Sequence, residues 1–148
     1  MNLLLTKTYL FFFSIIPLIL AFSYYNPKNT FDVNIGDTYF VILNVHLGII
    51  LSVFYFIVGL LYFILHKKRI LLNHWIVYSH SILSIGGLIL IWLLVKRINN
   101  NPPPNFEELL KSIRINKYLT YICITTLCSM VLVQFIFIID IILKVIKR

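Results

Sequence analysis

The chain has 148 residues, of which 60% are hydrophobic and only 12% are charged, and its mean hydropathy is +0.93. A soluble domain carries about 25% charged residues, so this composition excludes a water-soluble protein and indicates that lipid is the solvent. The formal net charge is +8. Because the lysines and arginines lie between apolar segments, we attribute this charge to membrane topology and lipid headgroups, and we expect no nucleic-acid partner.

The first apolar segment covers about residues 8–25. A signal peptide is the alternative, because Lys7 precedes the segment and the small residues at 21–23 resemble a cleavage site. We favour a retained helix for two reasons. The segment is long for a signal core, and its loss would leave three spans with an awkward topology.

Three further apolar segments lie at about 39–65, 75–95 and 118–143. A helix needs about 20 residues to cross ~30 Å of hydrocarbon, so each is long enough. The second segment is long for the thickness of a bilayer, so its helix is expected to tilt. The predicted fold is all-α: a polytopic membrane protein with four transmembrane helices in a single domain, 1–148.

The basic residues predict the orientation of these spans. A tight cluster, Lys67 to Arg69, follows the second segment, Lys7 precedes the first, and KVIKR ends the chain. With four spans all three lie on one side, which the positive-inside rule makes cytoplasmic. We therefore expect a multi-pass protein of the cell inner (cytoplasmic) membrane with both termini in the cytoplasm. The third loop carries an excess of cations on the opposite side: Lys96, Arg97, Lys111, Arg114 and Lys117.

That third loop also predicts a short helix at about 106–114. Asn105 and Glu108 have the spacing of a capping box, and apolar residues recur at helical spacing from Phe106 to Ile113. A helix lying on the outer membrane surface fits this pattern.

The sequence lacks the G-x-S-x-G, P-loop, Rossmann, H-E-x-x-H and C-x-x-C motifs, so we predict no catalytic residue and regard an enzyme as disfavoured. His46 lies about a third of the way into the second segment, where an ionisable group is a functional candidate. His80 lies at a different depth in the third segment, and an interhelical hydrogen bond is its ordinary role. Asp140 and Lys144 have the spacing of a local ion pair.

Two further residues of the second segment have predicted structural roles. Gly59 is expected to pack against a neighbouring helix, because small residues let backbones approach closely in lipid. Asp37 is expected to cap the outer end of this helix, with metal binding as the alternative.

The segment DTYFVILNVHLGIILSVFYFIVG, from Asp37 to Gly59, resembles the tenth helix of subunit I of the haem–copper respiratory oxidases. That family carries the pattern H-D-T-Y-x-V-x-x-H-x-H and then a glycine after an apolar stretch. The preceding NTFDVNIGD is similar to the family's outer loop, so the match is specific over about residues 29–59. The four segments would correspond to the last four of the family's twelve helices.

The resemblance implies roles for some residues and fails at others. His46 corresponds to the low-spin haem ligand, and Lys96 with Arg97 is similar to the arginine pair that holds haem propionates. Asn44 replaces the high-spin haem ligand, which an amide cannot do well, and Gly36 replaces a histidine of a magnesium site. The copper ligands belong to family helices that this chain lacks, so we expect no copper site and no oxygen reduction by this chain alone.

Two functions from different classes follow. The favoured one is a non-catalytic membrane scaffold, of the accessory, assembly or immunity type, that forms homo- or hetero-oligomers with other membrane subunits. The alternative is a haem-binding, electron-transfer subunit in which His46 is one axial ligand and another chain supplies the second.

Overall fold

A computed structural model describes residues 7–35, 37–70, 72–98 and 105–146. The chain divides into two compact units, unit 1 at Met1–Leu71 and unit 2 at Leu72–Arg148. A division by compactness does not decide whether both units share one membrane domain, so the single domain over 1–148 stays a prediction.

The described residues contain four helices that are long and apolar enough to cross a membrane, which confirms the predicted fold class. They are α1 at Thr8–Tyr25, α2 at Asn44–Lys67, a third helix at His74–Arg97 and a last helix at Phe106–Ile146. The first begins and ends at the predicted residues, 8–25.

A two-stranded antiparallel hairpin, which we did not predict, precedes α2. Strand β1 is Thr30–Ile35 and strand β2 is Thr38–Leu43, and the register pairs Ile35 with Thr38. The second span was predicted to start near residue 39, but its helix starts at Asn44. The run Thr38–Leu43 is rich in β-branched and aromatic residues, which favour strand over helix. Gly-Asp between two such runs is a known hairpin signal.

The two helices of unit 1 pack through aromatic rings and glycines. The fully buried Phe12 ring of α1 stacks on Tyr55 and Tyr62 of α2, with centroids 6.0 and 5.3 Å apart. Gly59 is buried against Phe13, so close that an added Cβ would lie 2.7 Å from the ring. The predicted packing of Gly59 against a neighbour is thus confirmed. Phe12 and Phe13 of α1 thus form the centre of the core of unit 1, and the retention of this first helix stays a prediction.

Unit 2 begins with a helix that changes its hydrogen-bonding pattern midway. It comprises α3 at His74–Ser81, a π-helical turn at Ile82–Gly86 and α4 at Gly87–Arg97. The Asn73 side chain accepts a hydrogen bond from the Trp75 N–H at 3.2 Å and so caps the start of α3.

The last helix, α5 at Phe106–Ile146, is continuous over 41 residues. It starts directly after Asn105, as the capping pattern predicts, and the Asn105 carbonyl accepts a hydrogen bond from the Leu109 N–H at 3.0 Å. The segment 106–114, predicted as a separate surface helix, is the first part of this helix. No proline or glycine separates it from the fourth span, so nothing in the sequence breaks the helix.

Candidate functional site

Unit 2 contains a buried polar cluster between its two long helices. His80 and Ser84 are both fully buried. His80 Nε2 lies 2.9 Å from Gln134 Oε1, and Gln134 Nε2 donates to Ser84 Oγ at 3.2 Å. Because an amide oxygen can only accept, the His80 Nε2–H donates in this arrangement. The interhelical hydrogen bond predicted for His80 is therefore confirmed.

Helical spacing and the π-helical turn position these side chains. His80 and Ser84 are four residues apart, so they lie on the same side of their helix. On α5, Gln134 and Phe137 are three residues apart, and the Phe137 ring stacks on the His80 imidazole with centroids 4.2 Å apart. The turn at Ile82–Gly86 begins two residues after His80, and such turns often occur at functional sites.

A second polar contact joins the same helices near the other end of unit 2. The Asn73 backbone N–H donates to Asp140 Oδ2 at 3.2 Å, and Asp140 is only 8% exposed. The predicted partner of Asp140 was Lys144, but the partner that its carboxylate contacts is the Asn73 N–H at the start of α3. The contact helps to fix where α3 begins relative to α5.

His46, the main residue of the haem hypothesis, has an exposed side chain. It is the third residue of α2, because that helix starts at Asn44. The prediction that His46 lies about a third of the way into the span is wrong, because the helix begins at Asn44, five residues after the predicted start. In the first turn of the helix an imidazole is near the membrane surface, where a polar N–H has access to water or headgroups.

Lys96 and Arg97, the residues proposed to meet haem propionates, form the last turn of α4 and are both exposed. Lys96 Nζ lies 3.8 Å from the centroid of the Trp92 ring. These two cations belong to unit 2, whereas His46 belongs to unit 1.

Asp37 does not cap α2, contrary to our prediction. It lies between β1 and β2, is exposed, and is separated from Asn44 by strand β2. Leu43 occupies the N-cap position, with no side-chain cap. The predicted cap is wrong because strand β2 lies between Asp37 and the start of α2. Gly36, which the resemblance aligns with a magnesium-site histidine, lies outside the described residues.

The residues fit a haem only as half of a site. A low-spin haem needs two axial donors, and in unit 1 the exposed His46 offers one imidazole while Asn44 offers an amide, which is a poor donor. Within the described ranges, no group of three His, Cys, Asp or Glu side chains is arranged to hold a metal ion. Any haem bound at His46 would need a second axial donor from outside unit 1.

Gln134 is the member of the polar cluster that sequence reasoning missed. Its signal was available, because an uncharged amide in the middle of an apolar span is rare and usually pairs across helices. Gln134 is the one glutamine of the chain and lies sixteen residues after Tyr118, where the span begins. Its partner could have been sought among the polar residues of the third span, His80 and Ser84.

Comparison of the chain with protein-family models, with curated proteins and with solved structures gave no match.

Proposed function

We propose that the chain is a non-catalytic scaffold of the cytoplasmic membrane, of the accessory, assembly or immunity type, that works by associating with other membrane subunits. The observation that carries this proposal is the buried cluster of unit 2. The side chains best able to do chemistry there, His80 and Ser84, are fully buried and hydrogen-bonded through Gln134. They serve helix packing, which is the usual role of polar residues between transmembrane helices.

The small residues support the same function. Gly59 brings α2 close to Phe13 of α1, and Gly87 brings α4 close to Met130 of α5. When polar and small residues pack two helices closely together, the outer surface of the pair is rigid. Such a surface can contact lipid and neighbouring subunits. In this proposal the chain descends from an oxidase subunit I-like fragment, on the strength of the residues from Asp37 to Gly59, and both termini face the cytoplasm.

Site-specific photo-crosslinking in native membranes tests the scaffold proposal. A crosslinking amino acid is placed singly at strongly exposed apolar positions of different elements: Tyr25, Trp75, Phe106, Leu132 and Ile146, which are between 62% and 82% exposed. A scaffold should crosslink strongly to one protein, or to a second copy of itself, from a restricted subset of these positions. The buried Phe137 is the matched control and should give no intermolecular product. Absence of crosslinked protein at all five exposed positions would contradict the proposal.

A haem-binding, electron-transfer subunit is the second candidate, and one specific observation favours it. The His46 side chain is exposed, so its imidazole is accessible to a haem whose second ligand comes from another subunit or a symmetry-related copy. Lys96 and Arg97 would then be candidates for the propionates, as the family resemblance implies. This candidate stands second because the chain supplies at most half of the axial ligands.

A further inference from the structure

We propose that the end of unit 2 where α4 stops and the apolar part of α5 starts is a binding site for the phosphate headgroups of anionic phospholipids. The site, here called the headgroup site, consists of the exposed cations Lys96, Arg97, Arg114 and Lys117 with the rings of Trp92 and Tyr121. The proposal does not depend on the scaffold function or on the orientation of the chain in the membrane.

The lengths of the uncharged segments place these cations at a membrane surface. On α5, residues 118–139 contain no charged side chain, and 22 helical residues span ~33 Å. On the preceding helix, residues 75–95 lack Lys, Arg, Asp and Glu and span ~32 Å. Both lengths match the ~30 Å hydrocarbon core. Lys117 and Lys96 are the first formal charges beyond these segments, so each belongs at the headgroup level.

Packing between α4 and α5 independently places the two lysines at the same level. Gly87 faces α5 between Thr126 and Met130, since a Cβ added to Gly87 would lie 3.4 and 2.7 Å from their side chains. The two helices run in opposite directions. Moving about nine residues along α4, or ~14 Å, reaches Lys96, and the same distance along α5 reaches about residue 119. Lys117 is thus within about a turn of the level of Lys96.

The aromatic rings lie on the hydrocarbon side of these cations. Lys96 Nζ lies 3.8 Å from the Trp92 ring centroid, and Lys117 Nζ lies 5.9 Å from the Tyr121 ring centroid. Trp and Tyr are the residues that settle at the boundary between hydrocarbon and headgroups. A cation above such a ring is at the depth of the lipid phosphate, to which Arg and Lys form charge-assisted hydrogen bonds.

The acidic residues of unit 2 do not neutralise the four cations of the headgroup site. The acids of unit 2 are Glu107, Glu108 and Asp140. The two glutamates lie at least nine residues, or ~14 Å, from Lys117, six or seven residues from Arg114, and three or four residues from Lys111. Even with Lys111 counted, five cations at this end face two carboxylates, so the headgroup site keeps a net positive charge. Its complementary ligand is an anion, and at this depth the anion available is a phospholipid phosphate.

Quenching of Trp92 by brominated lipids tests the site directly. The chain has two tryptophans, so Trp75→Phe leaves Trp92 as the sole reporter. The full chain is reconstituted in vesicles containing either dibromo-phosphatidylcholine or dibromo-phosphatidylglycerol, and relative lipid affinity at Trp92 is measured. We expect a preference of about threefold to fivefold for phosphatidylglycerol, since one basic residue near a surface gives up to about fivefold. The preference should weaken as salt rises.

Variants separate the headgroup site from general surface charge. Lys96→Gln, Arg97→Gln, Arg114→Gln and Lys117→Gln combined should bring the preference close to one, whereas the matched control Lys111→Gln should keep it. If the quadruple variant does not fold, Lys117→Gln alone should lower the preference. Equal quenching by the two lipids in the parent chain, or a preference that survives these substitutions, would overturn the site. So would a Soret band on adding haemin that appears together with loss of the lipid preference, because haem propionates would then be the ligand.

Discussion

His80 and Gln134 are 54 residues apart in sequence, and His80 Nε2 lies 2.9 Å from Gln134 Oε1. This contact joins the third span to the fourth at a point where His80 is fully buried. The Phe137 ring covers one face of the imidazole, and the Gln134 Nε2–H donates to Ser84 Oγ. A polar contact with defined geometry therefore specifies the register between the two helices. An apolar interface alone would specify this register less strictly.

The first prediction concerns Gln134→Leu. This change leaves the buried His80 N–H without its acceptor, and an unsatisfied buried donor costs about 1–3 kcal/mol. Polar pairs between membrane helices contribute less than this on average, about 0.6 kcal/mol. We therefore expect the free energy of unfolding to fall by about 1–2 kcal/mol. Unfolding in mixed micelles with increasing dodecyl sulfate, followed by circular dichroism, measures this value.

A double-mutant cycle provides the control. Replacing both partners, in His80→Phe with Gln134→Leu, removes the unsatisfied donor along with its acceptor, and such paired replacements can be nearly neutral. The double variant should therefore be more stable than Gln134→Leu alone. If the loss of unfolding free energy in the double variant equals the sum of the losses in the two single variants, His80 and Gln134 are not energetically coupled.

The second prediction concerns Gly59→Leu. A Cβ at this position would lie 2.7 Å from the Phe13 ring of α1, so a leucine must push the two helices of unit 1 apart. Overpacking of this kind costs about 1–3 kcal/mol, and lower membrane yield or earlier unfolding should result. Gly86→Leu is the control, since nothing lies within 4 Å of a Cβ there. If the two variants unfold alike, Gly59 does not set the approach of α1 and α2.

The four spans could be predicted from the sequence because their cause is simple. A run of about 20 apolar residues can satisfy its backbone in lipid only as a helix. The first span illustrates this, since its helix covers residues 8–25 as predicted. The packing of Gly59 and the hydrogen-bonding role of His80 could be predicted as well, because small and buried polar residues in spans have few alternatives.

One group of predictions failed because an apolar run was assigned to a helix although part of it prefers to form a strand. Hydropathy alone does not distinguish strand β2, Thr38–Leu43, from the helix that follows it, so His46 and Asp37 were assigned to the wrong positions relative to α2. Asp140 was paired with Lys144 because only local spacing is visible in a sequence, whereas its partner, Asn73, is 67 residues away.

The third prediction concerns membrane orientation. The basic cluster after α2 and the loop after α4 should lie on opposite sides, with the cluster in the cytoplasm. A membrane-impermeant thiol reagent added to whole cells should label Asn100→Cys, a position outside the described residues, and should not label Lys68→Cys. Cys123 and Cys128 are first replaced by alanine or serine to remove background. Labelling of Lys68→Cys with protection of Asn100→Cys would reverse the proposed topology.

The last prediction concerns His46 and haem. An imidazole is a good axial ligand for iron and an amide is a poor one, so any haem bound by unit 1 should depend on His46 and not on Asn44. His46 is exposed in the first turn of α2, so a partner chain can reach it, and the isolated chain should bind haem weakly or not at all. Tight binding would accompany assembly with that partner, because half a ligand set is completed only there.

A reduced-minus-oxidised absorption spectrum of the native complex distinguishes the two functions. If the haem candidate is right, wild type and Asn44→Ala give a sharp low-spin signal that His46→Ala abolishes. If the scaffold proposal is right, wild type gives no haem signal in any preparation, and His46→Ala changes neither the spectrum nor the crosslinking pattern. A low-spin signal that persists in His46→Ala would exclude His46 as the ligand, because other residues would then supply both axial donors.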